Sequence, residues 1–180
     1  MTEQHKKKVE STEEAPVVSN AKPEVVDEFE DRLVSVKFCT KVVKGGKNRS
    51  YGAMVVVGDR NGRVGIGYGK ANENADAIRK GTEHARKHLL RVPMNGTTIT
   101  HRVEKSFGGA KVMIRPASPG TGVIAGGGMR HVLELAGIKD VLAKSMGANN
   151  AENVVKATFE ALKSLRTRAE ILAKRDRAVL

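Results

Sequence analysis

The stretch GRVGIGYGK, running from Gly62 to Lys70, decides how this chain is read. Three glycines alternate with Val64, Ile66 and Tyr68, a lysine closes the run, and a helical pattern follows. Glycines ahead of a lysine and a helix are the ingredients of a phosphate cradle. Two templates test that idea, and both fail. A P-loop with Gly69-Lys70 as its GK pair needs a glycine where Val64 stands and a magnesium-holding hydroxyl where Ala71 stands. A dinucleotide fingerprint through Gly65 and Gly67 needs a third glycine where Lys70 stands. The residues just before, DRNG from Asp59 to Gly62, carry an Asn-Gly pair that signals a tight hairpin. The glycine run is therefore a return strand, the wrong context for a β-α-β crossover. Side chains alternate along a strand, so Gly65, Gly67 and Gly69 share one face and Val64, Ile66 and Tyr68 the other. The apolar face is expected to pack on the helix that follows. The bare face is expected either to relieve a sharp twist or a tight packing contact within the fold, or to admit another backbone, from RNA or a neighbouring subunit.

Working outward, FEDRLVSVKFCTKVV alternates as a half-buried strand, with Leu33, Ser35 and Lys37 on one side and Val34, Val36 and Phe38 on the other. VKGGKNRS reads as a loop in which Gly45-Gly46 gives turn freedom among Lys41, Lys44, Lys47 and Arg49. YGAMVVVG is the second strand. A helix is expected from Glu73 to Arg91, with Ala75, Ile78, Thr82, Ala85 and Leu89 on one face, ended by Pro93 and Gly96. The first unit thus reads β-β-β-α. A second unit follows, with strands in TTITHRVE and KVMIRPA and a glycine-rich loop SPGTGVIAGGG. Then come a helix in MRHVLELAG with Gly137 as its C-cap, and a strand in DVLAKSMG. Its last helix is NNAENVVKATFEALKSL, capped by Asn149 or Asn150, with Val154, Thr158, Ala161 and Leu165 on one face.

Charge narrows the function. The 180 residues carry a formal net charge of +12. Residues 1–31 hold four lysines and nine acids, so the net charge there is −5 and the remaining body carries +17. An acidic extension on a strongly basic body points to a polyanionic partner for the body. No apolar run approaches the ~20 residues of a membrane span, and the N-terminus lacks the apolar region of a secretory signal. A cytoplasmic location is the expectation. A single cysteine, Cys39, excludes an internal disulfide and a four-cysteine zinc site. His84 and His88 are four apart on a helix, but Ala85 breaks the H-E-x-x-H pattern and no third ligand is evident. No metal, cofactor or small-molecule substrate is expected. With no tryptophan and six other aromatics, the composition favours reading RNA through phosphates and shape over base stacking.

PASPGTGVIAGGGMR loosely resembles the glycine loop of the galactokinase and homoserine kinase superfamily. The chain is short for a kinase, the serines that follow such glycines are absent, and Asp140 is the only nearby aspartate. Three longer matches point elsewhere: VVKGGKNRSYGAMVVVGDRNGRVGIGYGKANE, RPASPGTGVIAGGGMRHVLELAGIKDVLAKSMG and NAENVVKATFEAL. Together they resemble the bacterial small-subunit ribosomal protein five family over about residues 32–166. The resemblance implies an α+β chain. A double-stranded-RNA-binding-like β-β-β-α domain would span residues 32–95, and an α/β domain with a left-handed β-α-β crossover residues 96–166. Residues 1–31 would be a disordered acidic extension and residues 167–180 a charged one.

The resemblance further implies a non-catalytic constituent of the ribosome that binds 16S rRNA and contacts small-subunit proteins four and eight. It would lie near the mRNA entrance and bear on decoding accuracy. The first loop of the family approaches the spectinomycin site, and the matching stretch here is about Cys39 to Lys47. On this reading Lys41, Lys44, Lys47 and Arg49 reach RNA phosphates around Gly45 and Gly46. Arg63 and Lys70 flank the glycine face, and Arg130 supports the second glycine loop. The competing readings are a nucleotide-dependent kinase and a free-standing double-stranded-RNA binder.

Overall fold

The computed structural model describes residues 29–175, so the acidic extension expected up to residue 28 lies outside the described residues. The described residues open with a long antiparallel hairpin, β1 (Glu30–Val43) and β2 (Gly46–Gly58), joined by Lys44 and Gly45 alone. Most of VKGGKNRS is therefore strand: Val43 pairs with Gly46 and Val42 with Lys47. Clustered cations require solvent, and a two-stranded ribbon open on both faces supplies it without ending the ladder. β1 also carries a bulge between Leu33 and Ser35, which shifts the alternation. Leu33 pairs with Val55, and Ser35 pairs with Met54 on the opposite face, so Leu33 shares its face with Val36 and Phe38.

β3 (Arg63–Ala71) pairs with β2, and β4 (Leu89–Arg91) closes the sheet in the order β1-β2-β3-β4. Between them α1 spans Asn74–Lys87. The helix stops short of the expected Arg91 because Leu89, Leu90 and Arg91 turn back to pair with Gly65, Val64 and Arg63.

The faces of β3 are the reverse of the expectation. A Cβ built on Gly65, Gly67 or Gly69 would lie under 3.0 Å from the backbone of Ala85, Gly81 or Ala77 respectively. The bare face is thus covered by α1, whose buried residues are Ala77, Gly81 and Ala85. Their i, i+4, i+8 spacing makes a row of small residues down one side of the helix. Small residues on both surfaces let the helix sit almost directly on the strand backbone. The face expected from larger apolar residues is only partly used: Ala75 is exposed, while Ile78 and Thr82 flank the contact. Val64 and Ile66 point away from α1 into the main core.

That core belongs to both halves of the chain. A small hairpin, β5 (Met94–Asn95) and β6 (Thr98–Ile99), leads into β7 (Val103–Phe107) and β8 (Ala110–Pro116). β9 (Val123–Ile124), α2 (Gly127–Leu135) and β10 (Val141–Gly147) form a β-α-β unit, because β10 runs parallel to β9 and antiparallel to β8. The second sheet has the order β7-β8-β10-β9. α3 (Ala151–Lys163) and a short α4 (Arg168–Lys174) complete the chain. Asn150 caps α3 by accepting the amide of Glu152, and the expected face of Val154, Thr158, Ala161 and Leu165 is buried. α2 and α3 lie between the two sheets. One cluster accordingly joins Met54, Val56 and Val64 of the first unit to Met129, Leu133, Val155 and Leu162 of the second.

Candidate nucleic-acid interface

The hairpin β1–β2 outruns its sheet. β3 ends with Ala71 opposite Tyr51, so Cys39–Val43 and Gly46–Ser50 continue as a free two-stranded ribbon. Five residues per strand extend it by about 17 Å. Lys41, Lys44, Lys47 and Arg49 are all exposed on this ribbon. None of the four pairs with a carboxylate among the described residues. Gly45 and Gly46 at the tip have open space where a side chain would be. Cations around a bare turn leave backbone amides and positive charge accessible together, which suits a phosphate backbone. Lys70 is exposed and pairs with Gly52 at the foot of the same ribbon.

The remaining predicted cations are placed elsewhere. Arg63 sits at the opposite end of β3 from Lys70 and on the other face, so the two do not flank one surface. Its guanidinium meets the carboxylate of Asp59 at 3.4 Å. Asp59 also accepts the amides of Asn61 and Arg63, which shapes the turn. Arg130 donates to the carbonyl of Val123 at 3.2 Å, bracing the loop before α2, with Glu134 at 3.8 Å. Glu134 pairs in addition with Arg32 of β1.

The second glycine-rich stretch has its own internal order. Asp140 is 4% exposed and accepts the amides of Gly120 and Gly122 at 3.0 Å each. The Gly122 amide and the Thr97 side chain hold its carboxyl below the ordinary aspartate range, with Gly120 and Thr121 assisting against the opposing effect of burial. The loop amides that a nucleotide phosphate would use are therefore turned inward onto a carboxylate. A cleft of about 690 Å³ lies between the β5–β6 hairpin and α4, lined by Met94, His101, Arg166, Ile171 and Leu172 among others. Neither glycine-rich stretch contributes a wall to it.

Residues 29–93 match the family described as ribosomal protein S5, N-terminal domain, and residues 105–175 match ribosomal protein S5, C-terminal domain. The chain belongs to the ribosomal protein S5 family. It is a structural protein of the small ribosomal subunit, with ribosomal RNA and the ribosome as its partners, and it is not an enzyme. The kinase reading of the second glycine loop ends here, and Asp140 acquires a structural task in its place.

Some features of this S5 chain escaped the sequence reading. Asp140 was visible only as an isolated acid, because its partners lie about 20 positions away and belong to the backbone. Lys37 alternates with apolar neighbours like any exposed strand lysine. It binds Glu152 at 3.0 Å and Asn150 at 2.9 Å, so it fastens the foot of the ribbon to the start of α3. Tyr68 lies across Gly52, where a Cβ would collide with its ring. Partial burial and the nearby Glu152 and Cys39 push its phenol above the ordinary range.

Proposed function

We propose that this chain holds 16S rRNA chiefly through the β1–β2 ribbon, with Lys41, Lys44, Lys47 and Arg49 on phosphates and the Gly45-Gly46 backbone admitting their close approach. Lys70 extends that surface at the ribbon's foot. Arg130 acts by bracing the glycine loop before α2. Arg63 serves the hairpin turn first, through Asp59. The single observation that carries this reading is the projection beyond the third strand of a ribbon whose cations pair with no carboxylate among the described residues. The family match supports the finer placement: near the mRNA entrance of the small subunit, beside ribosomal proteins four and eight, in the cytoplasm, with an influence on decoding accuracy.

Salt-dependent binding tests it. Replacing any one of Lys41, Lys44, Lys47 or Arg49 by Ala should weaken binding to 16S rRNA. It should also flatten the slope of log K against log salt by up to about one unit each. Co-sedimentation with reconstituted 30S particles should fall in parallel. Binding indifferent to both salt and these substitutions would place the interface elsewhere.

A further inference from the structure

The ribbon face that continues the α1 side of the sheet carries more than charge. Phe38 pairs with Tyr51 across the strands, and the next pairs on that face are Thr40 with Arg49 and Val42 with Lys47. The Phe38 and Tyr51 rings stand 5.3 Å apart in a tilted arrangement. Phe38 is 55% exposed and Val42 72% exposed, in a chain that has only six aromatic residues of the Phe, Tyr and Trp types. Nothing in the described fold requires an exposed ring there. α1 covers Ala53, Val55 and Val57 further down the same face, but among the described residues no helix lies above the ribbon beyond Tyr51. The opposite face at this level is occupied by Lys37 and its ties to α3.

An apolar patch alone would suit many partners. Here Arg49 and Lys47 follow the ring pair at every second residue pair along the same face, about 7 Å apart. Flat rings beside evenly spaced cations match a polymer with flat bases and regularly spaced phosphates. A protein partner would need acids at those positions and gains nothing from the spacing. Continuous RNA duplex hides its base faces in the stack, so the rings can reach only bases that are unpaired or splayed.

We infer that Phe38, backed by Tyr51, is a stacking platform for an unpaired RNA base, with Arg49 and Lys47 holding the phosphates that follow it. The inference rests on the RNA-binding reading of the ribbon and adds to it a base contact and a single-stranded target. It also adds a stacking contact to the mode that the scarce aromatics favoured, which is the reading of RNA through phosphates and shape.

The test uses the full chain and three probes: a 12-nucleotide single-stranded RNA, the same strand with abasic central positions, and a blunt RNA duplex. Phe38→Ala should weaken binding of the first probe about 5- to 20-fold. It should leave the salt slope unchanged, since the ring carries no charge. Lys47→Ala and Arg49→Ala should each reduce that slope by up to about 0.7. Phe38→Trp introduces the only tryptophan, and should bind at least as well as the parent. Its indole emission should be quenched by the first probe and not by the abasic strand or the duplex. Circular dichroism checks that each variant is folded. If Phe38→Ala binds normally while the two cation variants lose slope, the stacking platform is overturned and phosphate binding by the ribbon stands. If all three bind as the parent does, both readings fall. Equal quenching by the abasic strand also overturns the platform.

Discussion

A methyl group on Gly67 would meet the carbonyl oxygen of Gly81 and the amide of Ala85, backbone atoms that no rotamer change can move. Gly67→Ala must therefore lift α1 from the sheet, at about 1–3 kcal/mol or more. Gly45→Ala, with open space at its Cβ, should stay within about 0.5 kcal/mol of the parent. Urea unfolding of the two variants separates a packing role from the RNA-facing role first expected of the β3 glycines, since the latter predicts that both are neutral for stability. Asp140 is the second residue whose task is local. Its depressed carboxyl pKa means that its contribution to stability is present above the ordinary aspartate value of about 3.9 and is lost as pH falls through the folded value. Asp140→Asn should lower the urea midpoint at pH 7, because an amide oxygen is a weaker acceptor than a carboxylate for the Gly120 and Gly122 amides. The gap between parent and variant should close as the pH is taken below 4. A gap that is constant from pH 7 to pH 2 would mean that the charge on Asp140 is not what holds the loop.

The end of α2 shows how one element completes another. Gly137 adopts φ +85° and donates to Glu134, while Ile138 donates to Leu133, which is the paired pattern of a Schellman cap. The carbonyls of Leu135 and Ala136 are then taken by the amides of Arg60 and Gly62, both at 3.0 Å. The DRNG turn of the first unit thus finishes a helix of the second, and the carbonyl of Arg60 rests where a Gly137 side chain would be. Gly137→Ala should cost about 1–2 kcal/mol from its left-handed backbone alone. Displacement of the turn should add to this, and a thermal melt measures the total. Conservation of the parent melting temperature would show that the turn and helix do not depend on each other. The hairpin and the Gly137 cap were legible beforehand because Asn-Gly and a glycine after an apolar helix are local signals. The Arg60 and Gly62 contacts were not, since backbone amides carry no sequence identity. The α1 contact was misread for a related reason. Weighing side chains by hydrophobicity favours Ile78 over Gly81, whereas close packing on glycine strands selects the smallest residues. The ribbon's cations were found by charge alone, but their elevation on a β-ribbon, and the ring pair beside them, depended on strand register.

At the scale of the whole molecule, two family domains share one interior. The face of the first sheet that carries Met54, Val56, Val64 and Ile66 has no cover of its own and is buried by α2 and α3. Arg32 with Glu134, Lys37 with Glu152, and the turn on the end of α2 fasten the edges of that contact. Such an arrangement ties the foot of the ribbon to both halves of the chain. It also removes the independence that a two-domain division suggests. The intact chain should therefore unfold in one cooperative transition, with the near-ultraviolet tyrosine signal and the far-ultraviolet helix signal coincident in urea. A fragment ending at residue 93 retains α1 over its own face of the sheet but leaves the opposite face in water. It should bind a hydrophobic dye, lose tyrosine chirality, and associate at micromolar concentration. A fragment that instead melts cooperatively as a dye-silent monomer would show that α1 alone suffices to hold the sheet, and that the shared core adds stability without being required for folding.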